Sequence, residues 1–231
     1  MPGRNFMGKA FKMKKIGLVL LITALDLLFG PFLLVVLGRM GYPTYSVTEF
    51  EQYPGKVLLQ TALLSTYFLI LFLIFRSVLK EKFSKAMGLR AETSLQIQWL
   101  ALMGILLVIA AAVGIRRTEK PIQILYGLFY FVFAVGFTEE FLIRGVCVYL
   151  LKDFSWQVKY LLPSFLFAML HIFAYAGFAP LTLDLFKEFA VNQLWTLMAS
   201  GCCLQLLKDR TGTLWVPILV HGLMDFCITF L

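Results

Sequence analysis

Apolar stretches about as long as a bilayer is thick recur along almost the whole 231-residue chain. A transmembrane helix needs roughly 20 consecutive, mostly apolar residues, because the bilayer core has no water to satisfy an exposed backbone. Seven segments approach that length: 16–38, 57–79, 97–114, 121–150, 157–176, 187–206 and 212–230. Soluble domains are about 45–50% apolar and 25% charged; this chain is 60% hydrophobic and 15% charged. The fold class expected is all-α, a polytopic transmembrane helical bundle of about seven spans. Only 41–56 and 80–96 have the composition of sizeable loops, so residues 1–231 read as one integral membrane domain.

The first span follows a basic head, "RNFMGKAFKMKK". Its apolar part exceeds the roughly 7–15 residues of a signal-peptide core, and no small-x-small cleavage site closes it. It is therefore expected to stay as an anchor. The fourth span is longer than a bilayer requires and must tilt, bend or protrude. Gly127, Gly136 and Gly145 offer places for it to do so.

Basic residues in short loops set orientation. With the N-terminus cytoplasmic, the groups at 4–15, 76–90, 152–159 and 208–210 share the inner side. Those at 39, 56, 116–120 and 187 share the other side, and the first set is more than twice as large. Topology and anionic lipid thus account for the net charge of +8, and a nucleic-acid partner is not needed. Short loops without a further targeting segment fit an integral protein of a bacterial plasma membrane. The cysteines at 147, 202, 203 and 227 lie in or beside spans without metal-type spacing and read as small apolar fillers. Most aromatic residues, Trp156, Trp195 and Trp215 included, are expected at lipid contacts and the interface belt. Ala199, Ser200 and Gly201 are small enough to let helices approach, with Asn192 or Gln205 supplying an interhelical hydrogen bond.

Ionisable groups inside a span are costly and mark either function or a required pairing. Here they are Asp26, Glu139, Glu140, Arg144, His171, His221 and Asp225; both of the chain's histidines are among them. Glu140 and Arg144 are i,i+4 and share a helix face. Glu139 is rotated from Glu140 by about 100° and cannot use the same partner equally well. One structural ion pair needs one glutamate, so the second requires another reason. His221 and Asp225 are again i,i+4. Converging spans would bring Glu, His, His and Asp around a water-sized site. Such a set suits activation of water by a carboxylate base or through a metal such as zinc. Structural roles stand beside this reading: an ion pair for Glu140 and Arg144, a helix-to-helix hydrogen bond for His171, and an orienting pair for His221 and Asp225. Asp26 has no visible partner and reads as structural or interfacial.

Three short patterns occur in order: "EEFLIRG" (E-E-x-x-x-R), "FAMLH" (Phe167 and His171) and "HGLMD" (His221 and Asp225), the last preceded by "RTGTLWVPILVH". Their order and separations resemble the CPBP family of intramembrane proteases. That family includes the type II CAAX prenyl endopeptidases and proteins linked to bacteriocin processing and self-immunity. The resemblance covers 121–231, a catalytic core formed by the last four spans; residues 1–120 carry no recognised motif. It implies that Glu139 activates water for attack on a peptide carbonyl and that His171 helps to hold that water. It further implies that Glu140 and Arg144 orient the site, while His221 and Asp225 stabilise the oxyanion. Many relatives carry Asn at the position of Asp225, and an ionised Asp cannot donate a hydrogen bond.

Family members have been described both as metalloproteases and as metal-independent glutamate proteases. The expectation is no cofactor, with zinc as the alternative; a metal would be held by Glu139, His171 and His221. The function expected is hydrolysis of a peptide bond in a membrane-bound or membrane-delivered protein or peptide. The alternative is a non-catalytic immunity or scaffolding protein of the same fold that binds a peptide partner. A proton-coupled transporter would show paired half-repeats, which are not evident.

Overall fold

The computed structural model describes residues 3–177 and 179–231, with side chains from 11 onward. The longer helices are α1 (Gly3–Arg39), α2 (Pro54–Leu64), α3 (Thr66–Leu79), α4 (Ser94–Thr118), α5 (Pro121–Leu150), α6 (Trp156–Leu170), α7 (Trp195–Thr211) and α8 (Trp215–Phe230). No strand occurs among the described residues. The chain is an all-helical integral membrane protein.

Four helical segments, Phe11–Arg39, Ser94–Thr118, Pro121–Leu150 and Trp156–Ala176, are long and apolar enough to cross a bilayer. Pro54–Leu64 and Thr66–Met87 reach that standard together, as one span bent by 41°. The last two expected segments are also helical but differ in kind. The helical run Leu183–Thr211 has Asp184, Lys187 and Glu188 near its start and Lys208, Asp209 and Arg210 near its end. Helix α8 has 16 residues; at about 1.5 Å per residue it is shorter than the roughly 30 Å hydrocarbon core. It packs on α4, α5 and α7, so protein surrounds much of it.

Local chemistry explains where these helices begin and end. Proline opens α2 and α5, where its missing N–H costs nothing and its fixed φ suits the first turn. A capping box opens α4: Gln96 N–H donates to Thr93 Oγ1, and Thr93 N–H donates to Gln96 Oε1. Gly212 stops α7 at φ +70°, and Gly88 closes the short helix Phe83–Met87 at φ +73°, conformations that glycine adopts without a Cβ penalty.

Both ends of the N-terminal half are tied to the C-terminal half. At one end, the Gly88 carbonyl accepts from Leu214 N–H at 2.7 Å and from Thr213 Oγ1 at 3.1 Å. The Trp215 indole N–H donates to Leu89 O at 3.0 Å, and its ring stacks on Phe137 at 5.3 Å. Trp215 is thus a half-buried anchor and not part of a lipid-facing belt, unlike Trp156 and Trp195, which are 63% and 68% exposed. Lys15 pairs with Asp153 on the same face, and its ammonium group holds that carboxyl below the usual range. At the other end, Phe50 stacks on Tyr126 at 3.8 Å, and Tyr126 hydrogen-bonds Thr61 at 2.9 Å.

Helix α5 is not uniform. Tyr130–Phe137 and Phe141–Cys147 are π-helical, and Thr138–Glu140 form a single α turn between them. The first wide stretch lies directly on α8. A Cβ at Gly136 would sit 2.9 Å from Ile218 O, and one at Gly222 would sit 2.8 Å from both Phe131 O and Val132 Cα. The two backbones touch because both positions are glycine. Gly222→Ala is therefore expected to push α8 off α5, at an overpacking cost of about 1–3 kcal/mol. The check is the melting temperature in detergent; an unchanged value would count against a tight contact.

Candidate active site

Each half of the first motif has its own surroundings. Glu140 is fully buried and Arg144 is 1% exposed. Arg144 Nη1 donates to Glu140 Oε1 at 2.9 Å, and Nη2 donates to Gly201 O at 3.1 Å. The guanidinium lies 4.3 Å from the centre of the Phe167 ring, a face that attracts cations. Lys208 Nζ donates to the Arg144 carbonyl. Helix α7 thus grips Arg144 at its side chain and its backbone.

Gly201 makes that grip feasible. A Cβ there would meet Ser164 Oγ at 3.0 Å and Arg144 Nη2 at 3.1 Å. The expected close approach occurs at Gly201, whereas Ala199 is exposed. Asn192 donates across to Tyr175 Oη at 3.2 Å, but Gln205 donates to Asp209 on its own helix. The short Gln205 amide finds the neighbouring carboxylate four residues on.

His221, from α8, completes the buried side. Its Nδ1 stands 2.9 Å from Glu140 Oε1. That oxygen already accepts from Arg144, so the ring nitrogen donates. His171 lies at the break between α6 and the short helix Ile172–Ala176. Its Nδ1 is 2.8 Å from Phe167 O; a carbonyl can only accept, so this nitrogen also carries its proton. The Phe167 ring is edge-on to both imidazoles, with centroids 4.8 Å and 5.6 Å away. One phenylalanine thus supports Arg144 and both histidines.

Glu139 faces elsewhere. Its Oε2 is 3.8 Å from His171 Nε2 and 3.9 Å from His221 Nε2. Asp225 Oδ2 is 3.5 Å from the same His221 Nε2. Glu139 Oε2 is buried and has no hydrogen-bond partner among the described residues. With both Nδ1 atoms donating, neutral histidines would present two lone pairs to a carboxylate oxygen. Three acceptors then converge, and one water has only two hydrogens to offer. An extra proton on one of these groups, or a cation, completes the balance.

The donor set Glu139, His171 and His221 has the chemistry of a zinc site with an open position. Its spacing is less suited. Ligands of tetrahedral zinc with bonds near 2.0–2.1 Å stand about 3.3 Å apart, and the 3.8 and 3.9 Å separations are wider. Among the described residues, no three His, Cys, Asp or Glu side chains form a ready metal-binding group.

Asp26 comes close to Glu139. The two line a common cavity of about 30 Å³ between α1, α3 and α5. Nothing in the spacing of α1 signals that neighbour, which lies more than a hundred residues away. Lys208, expected among the cytoplasmic loop charges, instead reaches the Arg144 carbonyl from the last turn of α7. No local pattern marks that contact either.

The chain is thus an integral membrane protein whose apolar helices bring two glutamates, an arginine and two histidines into one polar cluster. Residues 121–227 match the family model described as type II CAAX prenyl endopeptidase Rce1-like, a match that supports the resemblance of the three motifs to the CPBP family. All the residues of the cluster except Asp26 lie within the matched segment. No curated protein and no solved structure matches the chain.

Proposed function

We propose that this chain is an intramembrane endopeptidase that cleaves a membrane-bound or membrane-delivered protein or peptide by carboxylate-activated water. One observation carries the reading. An unpaired Glu139 Oε2 stands within 4 Å of two histidine Nε2 atoms inside a helical bundle. A water held between Glu139 and His171 loses a proton to Glu139 as its oxygen attacks the peptide carbonyl. Glu139 then returns that proton to the leaving amine as the C–N bond breaks.

The developing oxyanion needs a donor. His221 supplies one if it is held as an imidazolium: Nδ1–H stays on Glu140, and Nε2–H turns to the reacting oxygen. The role of Glu140 and Arg144 is to hold that histidine in place. The direct test is reconstitution in liposomes with a fluorogenic prenylated CAAX-type peptide. The reading expects hydrolysis that EDTA does not inhibit. Tight binding of the peptide without cleavage would instead support a non-catalytic scaffold.

Asp225 gives a sharper test. Its carboxyl is 3.5 Å from His221 Nε2, near the place assigned to the oxyanion. An amide there donates without needing a proton, so Asp225→Asn should keep activity within about tenfold of the parent. If Asp225 served as an anionic support of a metal site, the change would cost roughly 10–100-fold. An inactive Asn variant, in a protein silenced by chelation and restored by zinc, would overturn the metal-free mechanism.

A further inference from the structure

Asp26 belongs to α1, outside the family-matched segment, and the mechanism above does not use it. It lines the cavity of about 30 Å³ with Tyr67, Thr138, Glu139 and three apolar side chains of α3 and α5. A cavity needs about 10–15 Å³ to hold one water, so this one has room. Its lining also decides what a water would meet. The Tyr67 hydroxyl spends its hydrogen on Ile22 O at 2.7 Å. Thr138 shares its hydrogen between Ala134 O at 2.8 Å and Val135 O at 2.9 Å. The Asp26 and Glu139 carboxyl groups therefore remain as the principal partners. A water has two hydrogens, one for each carboxyl, and it separates two like charges that would otherwise repel.

We propose that Asp26 is a positioning residue of the site: through a water in this cavity it fixes the rotation of the Glu139 carboxyl group, on the side away from the histidines. This rests on Glu139 as the base, and it extends the site beyond the matched segment to the first helix. Bond rotation in Glu139 would otherwise carry the reacting oxygen away from His171 and His221. A misplacement of about 1 Å can cost on the order of 100-fold in rate.

The experiment compares the parent, Asp26→Ala, Asp26→Asn and Glu139→Gln, each as the full chain in liposomes with the same fluorogenic peptide. Asp26→Ala should lower kcat by about 10- to 100-fold, with KM and melting temperature unchanged. Asp26→Asn, which can still hold a water, should recover most of the loss. A structure of the parent in a lipidic phase should show an ordered water between the carboxyl groups; this readout needs no turnover. An unaltered kcat in Asp26→Ala, a loss traced to unfolded protein, or no water in the cavity would each sink the proposal. Retained activity in Glu139→Gln would overturn the reading of the base itself. An inactive Glu139→Gln beside a fully active Asp26→Ala would overturn only the role given to Asp26.

Discussion

Glu139→Gln is expected to slow peptide hydrolysis by about 100- to 10,000-fold, the usual contribution of a general base, while leaving the fold intact. Glutamine matches glutamate in shape but has no basic oxygen with which to take a proton. The fold should not notice the change, because among the described residues Glu139 makes no close hydrogen bond or ion pair that the bundle depends on. The two imidazoles stand 3.8 and 3.9 Å from its Oε2. Initial rates and melting temperature, measured on the same preparation, check both halves of the statement. Turnover near that of the parent would remove Glu139 from the chemistry.

Arg144→Ala should produce the opposite pattern, a failure of folding first. The guanidinium is 1% exposed and satisfies Glu140 and the Gly201 carbonyl, with Phe167 beneath it. Without it the fully buried Glu140 keeps only His221 as a hydrogen-bond partner among the described residues. Breaking a buried pair by removing one member costs about 3–5 kcal/mol, a large share of a typical total stability of about 5–15 kcal/mol. Arg144→Lys should rescue little, since an ammonium cannot reproduce the planar fork that reaches both acceptors. Folded yield by size exclusion and midpoint of thermal unfolding are the readouts. A folded Arg144→Ala protein with the parent's midpoint would show that the buried pair contributes nothing to stability.

The contrast between these neighbours shows what a linear reading can reach. The i,i+4 spacing puts Arg144 beside Glu140, and the offset of one residue turns Glu139 to another face; both follow from helix geometry alone. Apolar length likewise locates the helices, since a bilayer imposes that length. It does not show that α8 is short and largely enclosed by its neighbours, because hydropathy cannot tell a lipid contact from a protein contact. For the same reason hydropathy does not separate Trp215, which holds Leu89 O and Phe137, from the lipid-exposed tryptophans. The Nδ1 of His221 on Glu140, Lys208 on the Arg144 carbonyl, and Asp26 beside Glu139 depend on helices far apart in the chain. Only the packing of those helices brings the groups together.

The two wide stretches of α5 have a consequence for how this helix can vary. In an α-helix each residue turns the chain by about 100°, whereas a π turn takes in more residues and turns less for each. Glu139 and Glu140 point as they do because eight residues of wide helix precede their turn and seven follow it. Loss of one residue inside Tyr130–Phe137 would let the segment relax toward an ordinary helix. Gly136 would then leave α8, or the glutamates would leave the histidines, since the rigid contact at Gly222 cannot follow both. Apart from Gly136, whose missing Cβ admits α8, side chains along this segment can change more readily than its length. Indels in a lineage of such chains would collect in the loops and spare these fifteen residues.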